Sequence, residues 1–268
     1  MTVRAPAKVN LELRVGPPRP DGYHELATVF HAVALYDEVH AVPADEITLT
    51  VEGSQAEAVP RDVTNLALRA ALLVAERVGV EDGVHLHLRK GIPVAGGMAG
   101  GSADAAAALV ACDALWHCGL SRDDLHELAA ELGSDVPFSL LGGTAIGTGR
   151  GERLTPALAR GEYHWVVALA DHGLSTPAVY GELDRLRGAG DVPEPEISDA
   201  LMQALRAGDA PALGGIVSGS GPSVVFLTDG PEHALDVAVA LTASGVASGV
   251  RRAIGPVAGA RIVEPARS

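Results

Sequence analysis

Residues 93–108 read Pro-Val-Ala-Gly-Gly-Met-Ala-Gly-Gly-Ser-Ala-Asp-Ala-Ala-Ala-Ala, a glycine-rich loop running straight into a strong helix former. Gly96, Gly97, Gly100 and Gly101 carry no Cβ, so a ligand can approach this backbone closely. Ser102 is placed to cap the helix, and Ala103 to Ala108 propagate it. The first N–H groups of a helix lack partners within it, and the helix dipole favours an anion there. The chemistry predicted is phosphate binding, with the triphosphate tail of a nucleotide as ligand.

Other glycine motifs do not fit. A Walker A loop needs Gly-Lys-Ser/Thr, and no lysine stands between Gly101 and Ser102. A dinucleotide fingerprint counted from Gly96 needs its second glycine where Met98 stands. Ser218-Gly219-Ser220-Gly221-Pro222 is not a nucleophile elbow, because Ser218 occupies a required glycine position. Gly147-Thr148-Gly149-Arg150-Gly151 has no helix-forming run behind it and carries little weight.

Phosphoryl transfer to an alcohol needs a cation and a carboxylate beside the phosphate cradle. Val9, Leu11, Leu13 and Val15 alternate with Lys8, Asn10, Glu12 and Arg14, which predicts a strand ended by Gly16-Pro17-Pro18. Lys8 and Asn10 then share its polar face, and Lys8 is the candidate cation. Ser121 caps a later helix with Asp123 and Asp124 in its first turn, Leu125 and Leu128 facing inward, and Gly133 at its end. Pro137 pushes Val136 towards extended geometry, so the chain is expected to leave that helix sharply at Asp135, the candidate base. Taken singly, Lys8 reads more readily as a surface charge and Asp135 as a turn residue.

The elements around these residues are mixed. Strands are predicted at Ile47 to Val51 and Val84 to Leu88, a helix from Thr64 to Val78, and the loop helix from Ser102 to Trp116. Arg19 to Leu26 holds an Asp-Gly turn beside Tyr23 and His24. A composition shift near 150–162 divides the chain into domains 1–155 and 156–268. Beyond it come a strand at Trp165 to Ala170, helices at Thr176 to Leu186 and Ser198 to Leu205 flanking a broken loop at 188–195, a strand at Val224 to Leu227, a helix at Pro231 to Ser244 and a strand at Gly249 to Ile254. This alternation suits an α+β sandwich.

The 268 residues carry a formal net charge of −14, which argues against nucleic acid or an anionic membrane as partner. Cys112 and Cys118 form no Cys-x-x-Cys pair and read as reduced thiols in a cytoplasmic enzyme. His85 and His87 alternate on one strand face without a third ligand, so they read as outward polar residues.

Four segments carry a resemblance. Pro6-Ala7-Lys8-Val9-Asn10-Leu11, the glycine-loop helix, Gly133-Ser134-Asp135-Val136-Pro137-Phe138 and Val217-Ser218-Gly219-Ser220-Gly221-Pro222 occur in the order and spacing of the GHMP kinases. The chain resembles that superfamily over nearly its whole length. Arg19-Pro20-Asp21-Gly22-Tyr23-His24-Glu25-Leu26 resembles the branch that acts on a cytidine-diphospho sugar alcohol. The resemblance implies a two-domain α+β fold: an N-terminal nucleotide-binding domain like ribosomal protein S5 and a C-terminal ferredoxin-like α/β sandwich. It implies ATP-dependent phosphorylation of the 2-hydroxyl of 4-(cytidine-5′-diphospho)-2-C-methyl-D-erythritol in the non-mevalonate isoprenoid route.

The same resemblance assigns roles. Asp135 is the catalytic base and Lys8 its charged partner. Pro93, Val94, Ala95, Gly96, Gly97, Met98, Ala99, Gly100, Gly101, Ser102 and Ala103 wrap the ATP phosphates, and Asn65 and Leu66 approach the nucleotide. Asn10 holds the erythritol end, Tyr23 and His24 bind the cytidine, and Tyr180 adds a stacking ring. Thr176, Gly219 and Ser220 complete the substrate site. Magnesium (Mg2+) travels with ATP and touches Ser102. Apart from the resemblance, Asp104 in the first helical turn suits the dipole but repels a bound phosphate, so it is expected to point away. The partners implied are the two small molecules, with no nucleic acid, membrane or protein partner.

The chain departs from the family where Ala210-Pro211-Ala212-Leu213 runs directly into Gly214, a few tens of residues short. Either the chain is naturally shortened there or a segment is missing from the sequence; the second is favoured, because losing two helices would expose core in the second domain. Ala99 also stands where the family often has glycine. Two rival readings are a kinase for homoserine or mevalonate, against which Asp21-Gly22-Tyr23-His24 speaks, and a non-catalytic nucleotide-binding module, which would need neither Lys8 nor Asp135.

Overall fold

A computed structural model describes residues 1–188, 190–209 and 214–263. Two sheets organise it. In the first, β1 (Thr2–Pro18) and β2 (His24–Ala44) form a long antiparallel pair running from Thr2 opposite His40 to Pro18 opposite His24. β4 (Gly83–Lys90) pairs with β2, and β3 (Thr48–Gly53) lies parallel to β4. β5 (Thr144–Gly149) also pairs with β2 and carries β6 (Arg153–Pro156) beside it.

Helices α1 (Leu66–Val78), α2 (Gly100–Trp116), α3 (Arg122–Leu132) and α4 (Val136–Leu141) pack with this sheet. Nine residues of α2 are buried, six of them alanine, so the helix sits close against its neighbours. Leu86, Leu88, Leu109 and Leu128 are fully buried in this core, each worth roughly 1.5–3 kcal/mol of transfer free energy.

The second sheet is antiparallel in the order β10-β7-β9-β8, from β7 (Tyr163–Leu169), β8 (Gly215–Val217), β9 (Val224–Thr228) and β10 (Gly249–Gly255). It is accompanied by α5 (Thr176–Arg187), α6 (Asp199–Ala207) and α7 (Pro231–Ser244). The chain then returns to the first sheet, where β11 (Arg261–Ile262) pairs with β1. The expected two-part α+β fold is present. No helix among the described residues is long and apolar enough to cross a membrane.

Several local expectations are corrected. Ser102 does not cap α2: the helix starts at Gly100, with Ala99 in left-handed geometry at the cap position and no side-chain cap bond. Val136 is not extended but opens α4, because proline is tolerated in a helix's first turn. Pro17 and Pro18 fall inside β1 at its irregular end rather than terminating it at Gly16. The predicted capping of α3 holds, with Ser121 and Asp124 forming a reciprocal capping box. The loop expected at 188–195 includes residue 189, outside the described residues, as are 210–213 before the shortened junction. α7 buries only Ala234, with Leu235 and Val239 49% and 59% exposed, and Val246 just beyond it is 74% exposed.

Candidate active site

The β1–β2 ladder fixes one wall of a cavity of about 760 Å³. Lys8 and Asn10 project from β1 into it, as expected from their alternation, but both are buried rather than solvated. Lys8 Nζ donates to Asn10 Oδ1 at 2.6 Å, Asn10 Nδ2 donates to Thr28 Oγ1 at 2.8 Å, and Thr28 Oγ1 donates to the Glu12 carbonyl at 2.7 Å. This chain of bonds orients the ammonium. Asp135, at the start of α4, brings Oδ2 to 3.5 Å from Lys8 Nζ while its side chain stays one-third exposed towards the cavity. The two candidates, unconvincing singly in the sequence, therefore form one buried-to-exposed ion pair.

The glycine loop forms the adjoining wall. Residues 95–102 line the cavity together with Pro93. Met98 turns its side chain into the core and contributes its carbonyl, which accepts the Lys8 backbone N–H at 3.1 Å. Gly97 has φ +73°, and a Cβ there would lie 2.5 Å from the Ser218 carbonyl and 2.7 Å from that of Gly221. Only glycine permits this approach between the two glycine segments, which Ser218 Oγ closes by donating to the Gly97 carbonyl at 3.0 Å. Gly219 in turn lies against Asn10 and Lys8, and Ser220 Oγ is 2.8 Å from Thr176 Oγ1.

The far end of the cavity is aromatic. His24 Nε2 donates to Asp184 Oδ1 at 2.8 Å, and its ring centroid lies 5.1 Å from that of Tyr180. Burial and then the charge of Asp135 push the Tyr180 hydroxyl up to about 12, so it stays a neutral donor. Tyr23 is half-exposed, with the Arg150 guanidinium 4.9 Å from its ring centre. The Arg19–Leu26 turn is held by Arg19 pairing with Asp21 at 3.2 Å and Glu25 at 2.8 Å, and Glu25 accepts the Gly149 N–H at 3.1 Å.

Three expected nucleotide residues lie elsewhere. Val94, Asn65 and Leu66 border a second cavity of about 170 Å³ on the other side of Gly100 and Gly101. The Asn65 side chain caps α1, accepting the Ala67 N–H at 2.8 Å and donating to the Pro60 carbonyl at 2.7 Å. Ala103 is corrected: it is fully buried and lines neither cavity, because the helix starts earlier than predicted. Asp104 points away from the larger cavity as expected, towards Lys90. Burial pushes its carboxyl up to about 8, against the pull of the Lys90 ammonium.

Sequence reasoning missed Thr28, Arg150 and Asp184, all of which line the larger cavity. Asp184 had a signal, standing four residues after Tyr180 on a predicted helix face. Arg150 sat in the glycine cluster judged uninformative. His85 and His87 bond to Thr48 and Thr50 on the exposed sheet face, and no group of three His, Cys, Asp or Glu among the described residues is arranged to hold a metal ion.

Known proteins place this geometry. Residues 65–143 match the model of the GHMP kinases N terminal domain, and residues 156–247 that of the GHMP kinases C terminal. The 4-diphosphocytidyl-2-C-methyl-D-erythritol kinase of Streptomyces avermitilis is 53% identical, over 98% of this chain and 99% of the relative. The chain belongs to the GHMP kinases, in that branch. The corresponding enzyme of Nocardia farcinica is 52% identical over 98% of this kinase and 96% of its own length. The crystal structure of a 4-(cytidine 5′-diphospho)-2C-methyl-D-erythritol kinase superposes with a TM-score of 0.75 at 35% identity, over 95% of this kinase and 98% of that chain. A homoserine kinase from Cytophaga hutchinsonii, at 18% identity and a TM-score of 0.74, shares the fold. The Streptomyces alignment spans 295 positions, more than the 268 residues of this kinase, in keeping with the shortening before Gly214.

Proposed function

We infer that the chain phosphorylates the 2-hydroxyl of 4-(cytidine-5′-diphospho)-2-C-methyl-D-erythritol with ATP, giving the 2-phosphate and ADP in the non-mevalonate isoprenoid route. The observation that carries the mechanism is the Lys8–Asp135 pair facing the glycine loop across one cavity. The triphosphate rests on the backbone amides of the loop and of the first turn of α2, whose dipole points its positive end there. The acceptor lies with its alcohol at Asp135 and its cytidine among Tyr23, His24 and Tyr180, with Asn10 and Thr176 along its length.

Asp135 takes the proton of the 2-hydroxyl as that oxygen forms a bond to the γ-phosphorus. The bond from the γ-phosphorus to the β,γ-bridging oxygen breaks, and ADP leaves. Lys8 offsets negative charge on the oxygens being joined. Neutral Tyr180 and the His24–Asp184 pair suit a flat pyrimidine, by stacking and by a fixed ring orientation.

Magnesium fits as an ion carried by the nucleotide, since it favours phosphate oxygens and retained waters over an all-protein cage. The Ser102 hydroxyl is the protein oxygen at the helix start that would meet it. When bound, it neutralises charge on the transferring phosphate. The division into 1–155 and 156–268 falls at the end of β6, with β7 opening the second sheet at Tyr163, but it leaves Pro156 and β11 paired in the first sheet, so the last described strand works with the N-terminal part.

ADP release with the cytidine-diphospho substrate, measured beside homoserine and mevalonate, tests this reading. Turnover with the first alone supports it, and turnover only with another alcohol rejects the substrate assignment.

A further inference from the structure

We propose that the Lys90 ammonium, held between Asp37 and Asp104, positions the phosphate loop by fastening both of its ends. The proposal rests on the reading that this loop holds ATP. The loop leaves β4 at Lys90 and enters α2 at Gly100. At its start, Asp37 on β2 accepts the N–H groups of Gly91 and Ile92 through Oδ1, at 2.7 and 2.8 Å. Asp37 Oδ2 accepts from Lys90 Nζ. At its end, Asp104 in the first turns of α2 accepts from the same ammonium at 2.5 Å. One cation thus joins two strands to the helix behind the loop.

The cluster is built at a cost. The three side chains are 2%, 0% and 4% exposed, two carboxyl groups share one ammonium, and Asp104 Oδ1 has no partner among the described residues. Apolar residues of similar size would serve stability at least as well. Directional bonds are what apolar residues cannot supply. The loop needs them, because Ala95 at φ 53° and Ala99 at φ 60° sit in left-handed geometry that alanine disfavours. Such geometry persists only where the surroundings over-determine it. Lys8 N–H and Ser218 Oγ hold the middle of the loop through Met98 and Gly97, and the ion cluster holds its two ends.

The test compares wild type with Asp104→Asn and with the neutral triple variant Asp37→Asn, Lys90→Met, Asp104→Asn. Melting temperature, affinity for ATP and for inorganic triphosphate by calorimetry, and the KM of the acceptor are measured. The triple variant buries no unpaired charge and is expected to melt near wild type. Its affinity for both ATP and triphosphate should fall about tenfold, with the acceptor KM within about twofold. Asp104→Asn keeps the Lys90–Asp37 pair and supplies the same readings if the triple variant fails to fold.

Unchanged triphosphate affinity in a stably folded variant would overturn the proposal, leaving the cluster a purely structural feature. Loss of ATP affinity without loss of triphosphate affinity would overturn it too, pointing to a direct contact with the nucleoside. Failure of the wild type to phosphorylate the cytidine-diphospho acceptor, with triphosphate still bound, would reject the substrate assignment and leave the cluster's role standing.

Discussion

Lys8 Nζ stands 3.5 Å from Asp135 Oδ2, although one residue lies on the first strand and the other at the cap position before α4. The pair is reachable only because β1 and α4 meet beneath the phosphate loop, with the Lys8 N–H bound to Met98. Cradle, cation and carboxylate are thereby fixed in one frame, which is what phosphoryl transfer to an alcohol demands.

Gly97→Ala should damage the site without touching a charged group. The new Cβ meets two carbonyls, of Ser218 and Gly221, at a backbone angle alanine disfavours. A loss of about 1–3 kcal/mol in stability and a raised KM for ATP are expected, read by thermal unfolding and steady-state kinetics. Normal values for both would show that the two glycine segments do not need this contact.

Tyr180→Leu should weaken binding of the acceptor while sparing ATP. Loss of base stacking worth about 1–3 kcal/mol raises the acceptor KM roughly 5- to 150-fold. Steady-state titration of each substrate separately provides the check. An equal rise in the ATP KM would mean that Tyr180 supports the whole cavity and not the cytidine.

Stability should fall in acid because of His31. Its ring is buried between Thr144, Tyr163 and Trp165, and burial holds its pKa at about 3, below the ordinary 6.5. Between those values the unfolded chain takes a proton here that the folded chain refuses. The contribution is therefore intact above pH 6.5 and is lost as pH falls towards 3, by at most about 1.4 kcal/mol per pH unit. Melting curves from pH 7 to pH 4 should be shallower for His31→Gln than for wild type. Parallel curves would remove His31 as a cause.

Much of the site was legible because its chemistry lies in short segments. The glycine run, the Lys8–Asn10 alternation and the Tyr23–His24 turn each announce themselves locally, and the structure brings them to one cavity. β2 was not foreseen. Its 21 residues are buried along both faces near the centre and mix Asp37 and His31 with aliphatics, so no period-two pattern survives. Asp37, Lys90 and Asp104 look like surface charges in sequence and meet only through tertiary structure. Thr28 belongs to the same class, since nothing near it marks it as the anchor of Asn10. The start of α2 was misplaced because a serine in the first turn imitates a cap, whereas Ala99 and two glycines begin the helix.

The central claim is that Asp135 receives the proton of the acceptor hydroxyl. It is tested most directly by measuring kcat and ATP affinity together for Asp135→Asn. The amide keeps the shape of the carboxylate and cannot take the proton, so kcat should fall about a hundredfold to ten-thousandfold while ATP binds as in wild type. A variant with near-normal kcat would contradict the account and remove Asp135 as the base.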